Sequence, residues 1–323
     1  MSILITGAAG FIGFHVAKAL LERGDRVVGI DNLNDYYDVR LKEARLALLS
    51  AYPGFVFAKL DVADRDSVLA LIEAHRELSS IIHLAAQAGV RYSLENPYAY
   101  IDSNVMGTLV MLEAARRIDG LTAITYASSS SVYGANQKQP FSVDDWVDDP
   151  VSLYAATKRS CELLARTYGH LYGLPATGLR FFTVYGPWGR PDMAAYLFTR
   201  AILADQPIRV FNEGRMARDF TYIDDIVAGT LAAHDRPPAV GSHRIYNLGN
   251  HHPEQLLDFI AVLERLLGRT ATKEFLPLQP GDVPESFADI EASRRDLGFD
   301  PQTTIEVGLA RFVEWYRQYH RVN

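Results

Sequence analysis

Short apolar runs alternate with longer stretches of helical period through the first 182 residues. The runs at 2–6, 26–31, 55–62, 80–87, 121–127 and 175–182 predict six strands. The intervening segments ending at Leu21 and spanning 34–50, 96–117 and 152–172 predict helices. Strand and helix in regular alternation predict an α/β protein with a Rossmann-type, doubly wound parallel sheet. After residue 182 the alternation becomes irregular. Helices are expected at 194–205, 223–234, 253–267, 291–297 and 305–320, and strands at 209–211 and 245–248. These elements predict a smaller mixed α/β C-terminal region.

The first strand runs into Gly7-Ala8-Ala9-Gly10-Phe11-Ile12-Gly13, where a helix begins. In a strand–turn–helix context Gly7 permits the turn, Gly10 lets backbone approach a pyrophosphate, and Gly13 lets helix pack on strand. The helix N-terminus, with Phe11 and Ile12, offers N–H groups to phosphate. The second strand ends in Asp31, about twenty residues on; an acid there binds ribose hydroxyls and repels a 2′-phosphate, favouring NAD over NADP. Asn32 can share that contact, and Asp61, ending the third strand, is placed to meet adenine. Leu84, Ala85 and Ala86 end the fourth strand, and the small residues let a cofactor lie close. The expected division is a dinucleotide-binding domain over 1–181, with returning segments near 223–250, and a mainly substrate-binding region over 182–323. The segment 34–50 carries Tyr36, Tyr37, Arg40, Lys42 and Arg45 and reads as an inserted helix; its basic residues could touch cofactor phosphate, but a solvated face is the preferred reading. His83, among apolar neighbours, reads as a core histidine, and Asn104 is a polar residue on a packing-rich helix.

Of the 323 residues, 48% are hydrophobic and 22% charged, as in an ordinary globular protein. The net charge of -7 argues against nucleic acid or a membrane surface as partner, since phosphate binding needs a basic face. No apolar run reaches membrane-spanning length, and no basic-then-apolar leader precedes the first strand. The single cysteine, Cys161, excludes a disulfide framework and reads as packing. A cytoplasmic enzyme is expected.

The chemistry is concentrated in Tyr154-Ala155-Ala156-Thr157-Lys158, on the helix predicted at 152–172. Residues four apart share a helical face, so phenol and ammonium can enter one cleft. A phenol titrates near 10, and a neighbouring cation favours its ionised form. Such a pair can exchange a proton with a sugar hydroxyl. The fifth strand delivers Ser128-Ser129-Ser130-Ser131 at its carboxyl end, where open α/β sheets bind ligands.

Taken together, the glycine motif, the serine run before Val132-Tyr133-Gly134, and Tyr154 with Lys158 resemble the extended short-chain dehydrogenase/reductases that modify nucleotide sugars. The stretches 31–38, 85–93, 180–193 and 218–225 resemble the UDP-glucuronate 4-epimerases of that family. The likeness runs from about Ser2 to Tyr319.

The resemblance implies an NAD-dependent isomerase that interconverts UDP-glucuronate and UDP-galacturonate through a 4-keto sugar. Tyr154 would serve as acid/base, Lys158 would support it and hold the nicotinamide ribose, and Ser129 would hydrogen-bond the 4-oxygen. Val62, Leu84, Asn104 and Phe182 would join the cofactor site. A UDP-hexuronic acid would meet Gln87, Ser130, Ser131, Thr183, Arg190 and Met193, with the three hydroxyls and Arg190 as candidates for its carboxylate. Phe211 would stack on uracil, Arg218 contact phosphate and Asp282 the uridine ribose. Relatives acting on neutral hexoses carry arginine in place of Gln279. The helices near 96–117 and 152–172 form a two-fold contact in this family, so a homodimer is expected. Three other enzymes share much of this pattern. A 4,6-dehydratase wants an Asp-Glu pair where Ser130-Ser131 stand. UDP-glucose 4-epimerase and UDP-glucuronate decarboxylase differ only in the sugar pocket. A non-catalytic dinucleotide sensor typically lacks the tyrosine or lysine, and both are present.

Overall fold

A computed structural model describes residues 1–279 and 283–322. Asp282, expected at the uridine ribose, lies outside the described residues. The first half contains β1 (Ser2–Thr6), α1 (Phe11–Glu22), β2 (Arg26–Asp31), α2 (Val39–Leu49), β3 (Phe55–Lys59), α3 (Arg65–Ala74) and β4 (Ser80–His83). Then come α4 (Tyr92–Glu95), α5 (Pro97–Tyr100), a π-helical turn (Ile101–Met106), α6 (Gly107–Ala115), β5 (Ala123–Ser129), α7 (Leu153–Tyr172) and β6 (Ala176–Phe181). The remainder contains β7 (Thr183–Tyr185), α8 (Ala194–Leu203), β8 (Ile208–Phe211), β9 (Ala217–Tyr222), α9 (Ile223–Asp235) and β10 (His243–Leu248). Last are β11 (Pro253–Gln255), α10 (Leu256–Leu267), β12 (Lys273–Leu276), β13 (Glu285–Ser286), α11 (Glu291–Leu297) and α12 (Ile305–His320).

Seven strands form a parallel sheet in the order β10-β6-β5-β4-β1-β2-β3. Alternate side chains along each strand face opposite layers. Ile3 and Ile5 pack with Phe14 and Leu20 of α1 and Ile226 of α9. Leu4 packs on the other face with Val68 of α3, Met111 of α6 and Ala165 of α7. Each such buried aliphatic side chain contributes about 1.5–3 kcal/mol. The doubly wound sheet follows from that two-sided apolar pattern. Chain direction across the sheet reverses between β1 and β4, which opens a crevice at their carboxyl ends.

The C-terminal region is mixed, as expected, but holds strands that the pattern did not reveal. β9 pairs with β7, β11 and β13, and β12 pairs with β8. The helix expected at 253–267 begins three residues late, because 253–255 pair antiparallel with β9 as β11. The helix expected at 96–117 is broken into α5, the π turn and α6, with the short α4 just before it. Asn96 caps α5, accepting from Ala99 N, and Pro97 occupies the first turn. The π turn then carries Asn104, turned inward against the strand ends.

Candidate active site

The cleft over the β1/β4 crevice has an empty volume of about 1310 Å³ including its open mouth, ample for an extended dinucleotide. Gly7 adopts φ +72, and a Cβ there would lie 2.8 Å from Ala85 N. A Cβ on Gly13 would lie 2.0 Å from Gly7 O. Only glycine permits this turn and this approach of helix to strand. Gly10 caps α1 without a side chain, so the first-turn N–H groups at Phe11, Ile12 and Gly13 remain for phosphate along the cleft wall. Asp31 is buried; Oδ2 accepts from Ala9 N at 3.2 Å and Oδ1 from Leu33 N at 2.9 Å. These two bonds fix the carboxylate and leave lone pairs for ribose hydroxyls. Asn32, Val62, Leu84, Ala85, Ala86 and Phe182 complete the expected wall. The chain thus provides a phosphate cradle and a ribose acceptor suited to NAD.

The basic face of α2 corrects the expectation that it is solvated. Arg40 is exposed, but Lys42 and Arg45 are buried. Lys42 lines the cleft and donates to Asn34 O and Oδ1, both at 2.7 Å. Arg45 donates to Ala9 O at 2.7 Å, Tyr37 OH at 2.8 Å and Trp188 O at 2.6 Å. One guanidinium therefore ties the glycine turn to two distant loops. Burial holds the Lys42 ammonium below its usual range, partly opposed by Asp31.

Ser152 caps α7, its Oγ accepting from Ala155 N at 3.1 Å, and starts the helix so that Tyr154 and Lys158 both enter the cleft. Lys158 is 4% exposed and donates to Ala127 O at 2.9 Å. The Tyr154 ring meets the Tyr100 ring edge-on, centroids 6.0 Å apart. β5 extends through Ser129, whose Oγ accepts from Ser131 N and donates to Ser131 Oγ, both at 3.2 Å. The Ser128 hydroxyl is engaged by Glu162, donating to Oε1 at 2.6 Å. Glu162 also holds Arg180 at 2.8 and 2.9 Å. Cys161 packs against Thr108 and Asn104 O, and burial pushes its thiol up.

A second cleft opens beside the first, lined by Ser129, Ser130, Ser131, Thr183, Arg218 and Ser286 among others. Ser129, Tyr154, Phe181, Phe182, Arg190 and Met193 line both. The two clefts therefore meet at the phenol. Gln87 lies in the first, its backbone N–H donating to Asn104 Oδ1 at 2.8 Å.

Some expected residues stand elsewhere. Asp61 is exposed and not among the cleft-lining residues, its carboxylate accepting from Asn32 Nδ2 at 2.9 Å and Ala63 N at 2.9 Å. Asn104 is buried outside the cleft lining, its amide engaged by Gln87 backbone and Thr157 Oγ1. Its amide joins the segment after β4 to α7. Phe211 borders neither cleft among the described residues, and the Arg91 guanidinium sits 4.8 Å from its ring centroid. Arg218 lines the second cleft while donating to Ala217 O and Pro284 O. Arg190 is paired with Asp192. Sequence reasoning missed Tyr36, Asn34 and Ser103 in the first cleft and Val90 in the second, and it ranked a solvated position for Lys42 above the cleft position that the residue holds. Tyr36 carried a signal, an aromatic just past Asp31; burial and Asp192 push its phenol up to about 12.

Residues 3–249 match the family described as the NAD dependent epimerase/dehydratase family. The chain is 50% identical to the Staphylococcus aureus protein CapI, covering 99% of this chain and 100% of that one. It is 48% identical to a probable UDP-glucuronate 4-epimerase of Rhizobium meliloti, covering 99% and 98% of the two chains. Among solved structures, Bacillus cereus UDP-glucuronic acid 4-epimerase, crystallised with UDP-glucuronic acid and NAD, superposes with a TM-score of 0.92. That match is 36% identical and covers 99% of this chain and 100% of the other. A glycine cradle at a switch point, a tyrosine–lysine helix and a family match over residues 3–249 lead to one conclusion: the chain belongs to the NAD dependent epimerase/dehydratase family.

Proposed function

We propose that the chain is an NAD-dependent isomerase that interconverts UDP-glucuronate and UDP-galacturonate by inverting carbon 4. The observation that carries this reading is the junction of the two clefts at Tyr154, Ser129 and Arg190. A sugar held by its nucleotide in the second cleft presents its ring to the mouth of the first. Bound NAD+ supplies a hydride acceptor, and later donor, for carbon 4. Tyr154, as phenolate, takes the 4-hydroxyl proton, and Lys158 supports the anion while holding the nicotinamide ribose. Ser129 donates to the 4-oxygen as it becomes a carbonyl. The 4-keto sugar turns about its diphosphate, and Tyr154 returns the proton once hydride has reached the opposite face. Atoms and electrons balance with no net redox change.

The 4-keto acid is a β-keto acid and loses carbon dioxide readily when its carboxylate bond aligns with the ketone. Ser130, Ser131 and Thr183 are neutral hydroxyls along the second cleft, suited to hold the carboxylate out of that alignment. Arg218 contacts the diphosphate. Residues 1–181, with α9 and β10, hold the cofactor, and the rest mainly holds substrate. Exposed Tyr98, Ile101 and Met106 on one helical segment and Leu163, Leu171 and Tyr172 on α7 support a homodimer through these two helices. Light scattering giving a molar mass of one chain would refute it. A single buried thiol suits the cytoplasm. No described helix is long and apolar enough to cross a membrane.

Product analysis decides the reaction. Offered UDP-glucuronate, UDP-galacturonate and UDP-glucose separately, the purified protein should interconvert the two uronates. A pentose as main product, or conversion of UDP-glucose alone, would overturn the reading.

A further inference from the structure

Arg190 stands where the clefts meet and would be the natural counter-ion for a sugar carboxylate. Two of its five N–H groups, and most of its charge, are already taken by a neighbouring carboxylate. Nε donates to Asp192 Oδ1 at 3.0 Å and an Nη to Asp192 Oδ2 at 2.6 Å, a bidentate pair. Oδ2 also accepts from Tyr36 OH at 3.1 Å, which joins the loop after β2 to the loop after β7. The side chains of Arg190 and Asp192 are only 23% and 30% exposed, so solvent screens the pair poorly. Burial opposes the charge on Asp192, but Arg190 and Tyr36 hold its carboxyl below the usual range. The site therefore presents a compensated charge to an incoming carboxylate.

That compensation bears on the turning step. A sugar anchored at its diphosphate and also gripped by a guanidinium at its carboxylate could not rotate between two faces. Strong binding of one ground-state orientation lowers KM without accelerating the chemistry. We infer that Asp192, supported by Tyr36, is a positioning residue that keeps Arg190 from capturing the hexuronic carboxylate, so that the 4-keto sugar remains free to turn. This rests on the proposed uronate epimerisation. The carboxylate then meets the hydroxyls of Ser130, Ser131 and Thr183, whose neutral hydrogen bonds exchange readily.

The test compares holoenzyme variants on UDP-glucuronate, with UDP-glucose as a competitive ligand of neutral sugar. Asp192→Asn should lower both KM and kcat for UDP-glucuronate by about tenfold, while the inhibition constant of UDP-glucose changes by less than about twofold. Asp192→Glu should restore both constants towards wild type. Tyr36→Phe removes one hydrogen bond and should move both constants in the same direction, by about threefold. Adding Arg190→Gln to Asp192→Asn removes the freed cation and should bring KM back up. General damage would instead weaken both nucleotides and would not be relieved by the second change. Unchanged or raised KM in Asp192→Asn, or a parallel shift for UDP-glucose, overturns the inference. If Asp192→Asn does not fold, the direction of the Tyr36→Phe shift decides. A wild-type protein inert towards UDP-glucuronate would fail the proposed function itself, which is a separate outcome.

Discussion

Tyr154 has few substitutes in its own cleft. Among the described residues lining it, Tyr36 is bonded to Asp192 with its phenol pushed up to about 12, which unsuits it as a base near neutrality. Tyr154→Phe keeps the ring and its edge contact with Tyr100, so fold and bound NAD should persist while turnover falls about 10²–10⁴-fold. Product formation measured beside cofactor content checks this; near-normal turnover would place the base elsewhere. Tyr154, Lys158, Gly7 and Asp31 were legible in the sequence because their logic is local, set by helical spacing or by position at a strand end. Lys42 and Arg45 were not. Charged residues on a short helix read as solvated, and what buries them comes from Asn34, Ala9 and Trp188 across the fold. Asp192 escaped notice for the same reason, since its second partner, Tyr36, is 156 residues away.

β9 shows how an element invisible in the pattern can govern the second cleft. Its six residues pair with three other strands and carry Arg218 to the cleft edge. Asp219, fully buried, fastens it: Oδ1 accepts from Thr221 Oγ1 at 2.9 Å and from Asn250 N, and Oδ2 from His251 N at 3.1 Å and Ala288 N at 3.0 Å. Both oxygens are acceptors only, so an amide nitrogen in either place would face a donor. Asp219→Asn should cost about 1–3 kcal/mol, seen as a thermal midpoint lowered by several degrees. An unchanged midpoint would mean that the turn at 250–251 relaxes without loss. Strands of two or three residues give alternation too little length to register, so β7, β11 and β13 emerged only from their pairing. The long helices α7 and α12 were plain because their apolar period repeats over several turns.

The doubly wound parallel sheet was legible at the scale of the whole chain because strand and helix alternate through the first 182 residues, while its strand order came only from the pairing. What joins the layers was less so, and part of it is histidine. His83 of β4 bonds Thr6 Oγ1 at 2.7 Å, and His234 of α9 bonds Ser80 Oγ at 2.9 Å and Thr125 Oγ1 at 3.2 Å. His243 of β10 stacks on Tyr126 and bonds its hydroxyl, and His15 of α1 donates to Pro187 O at 2.9 Å. Burial lowers the four from 6.5 to about 3 for His83 and about 4 for His234, His243 and His15. The folded protein thus keeps these rings neutral at a pH where the unfolded chain takes up protons. Their contribution is complete above pH 6.5 and is lost as pH falls towards 4, at up to about 1.4 kcal/mol per pH unit for each ring. Glu162, held below the usual carboxylate range by Arg180, loses its contribution only at lower pH. The interval from about 6.5 to 5 therefore separates the histidines from Glu162. Urea midpoints should be level above pH 7 and fall steadily through that interval. A level profile down to pH 5 would show that these rings accept protons without loosening the helices from the sheet.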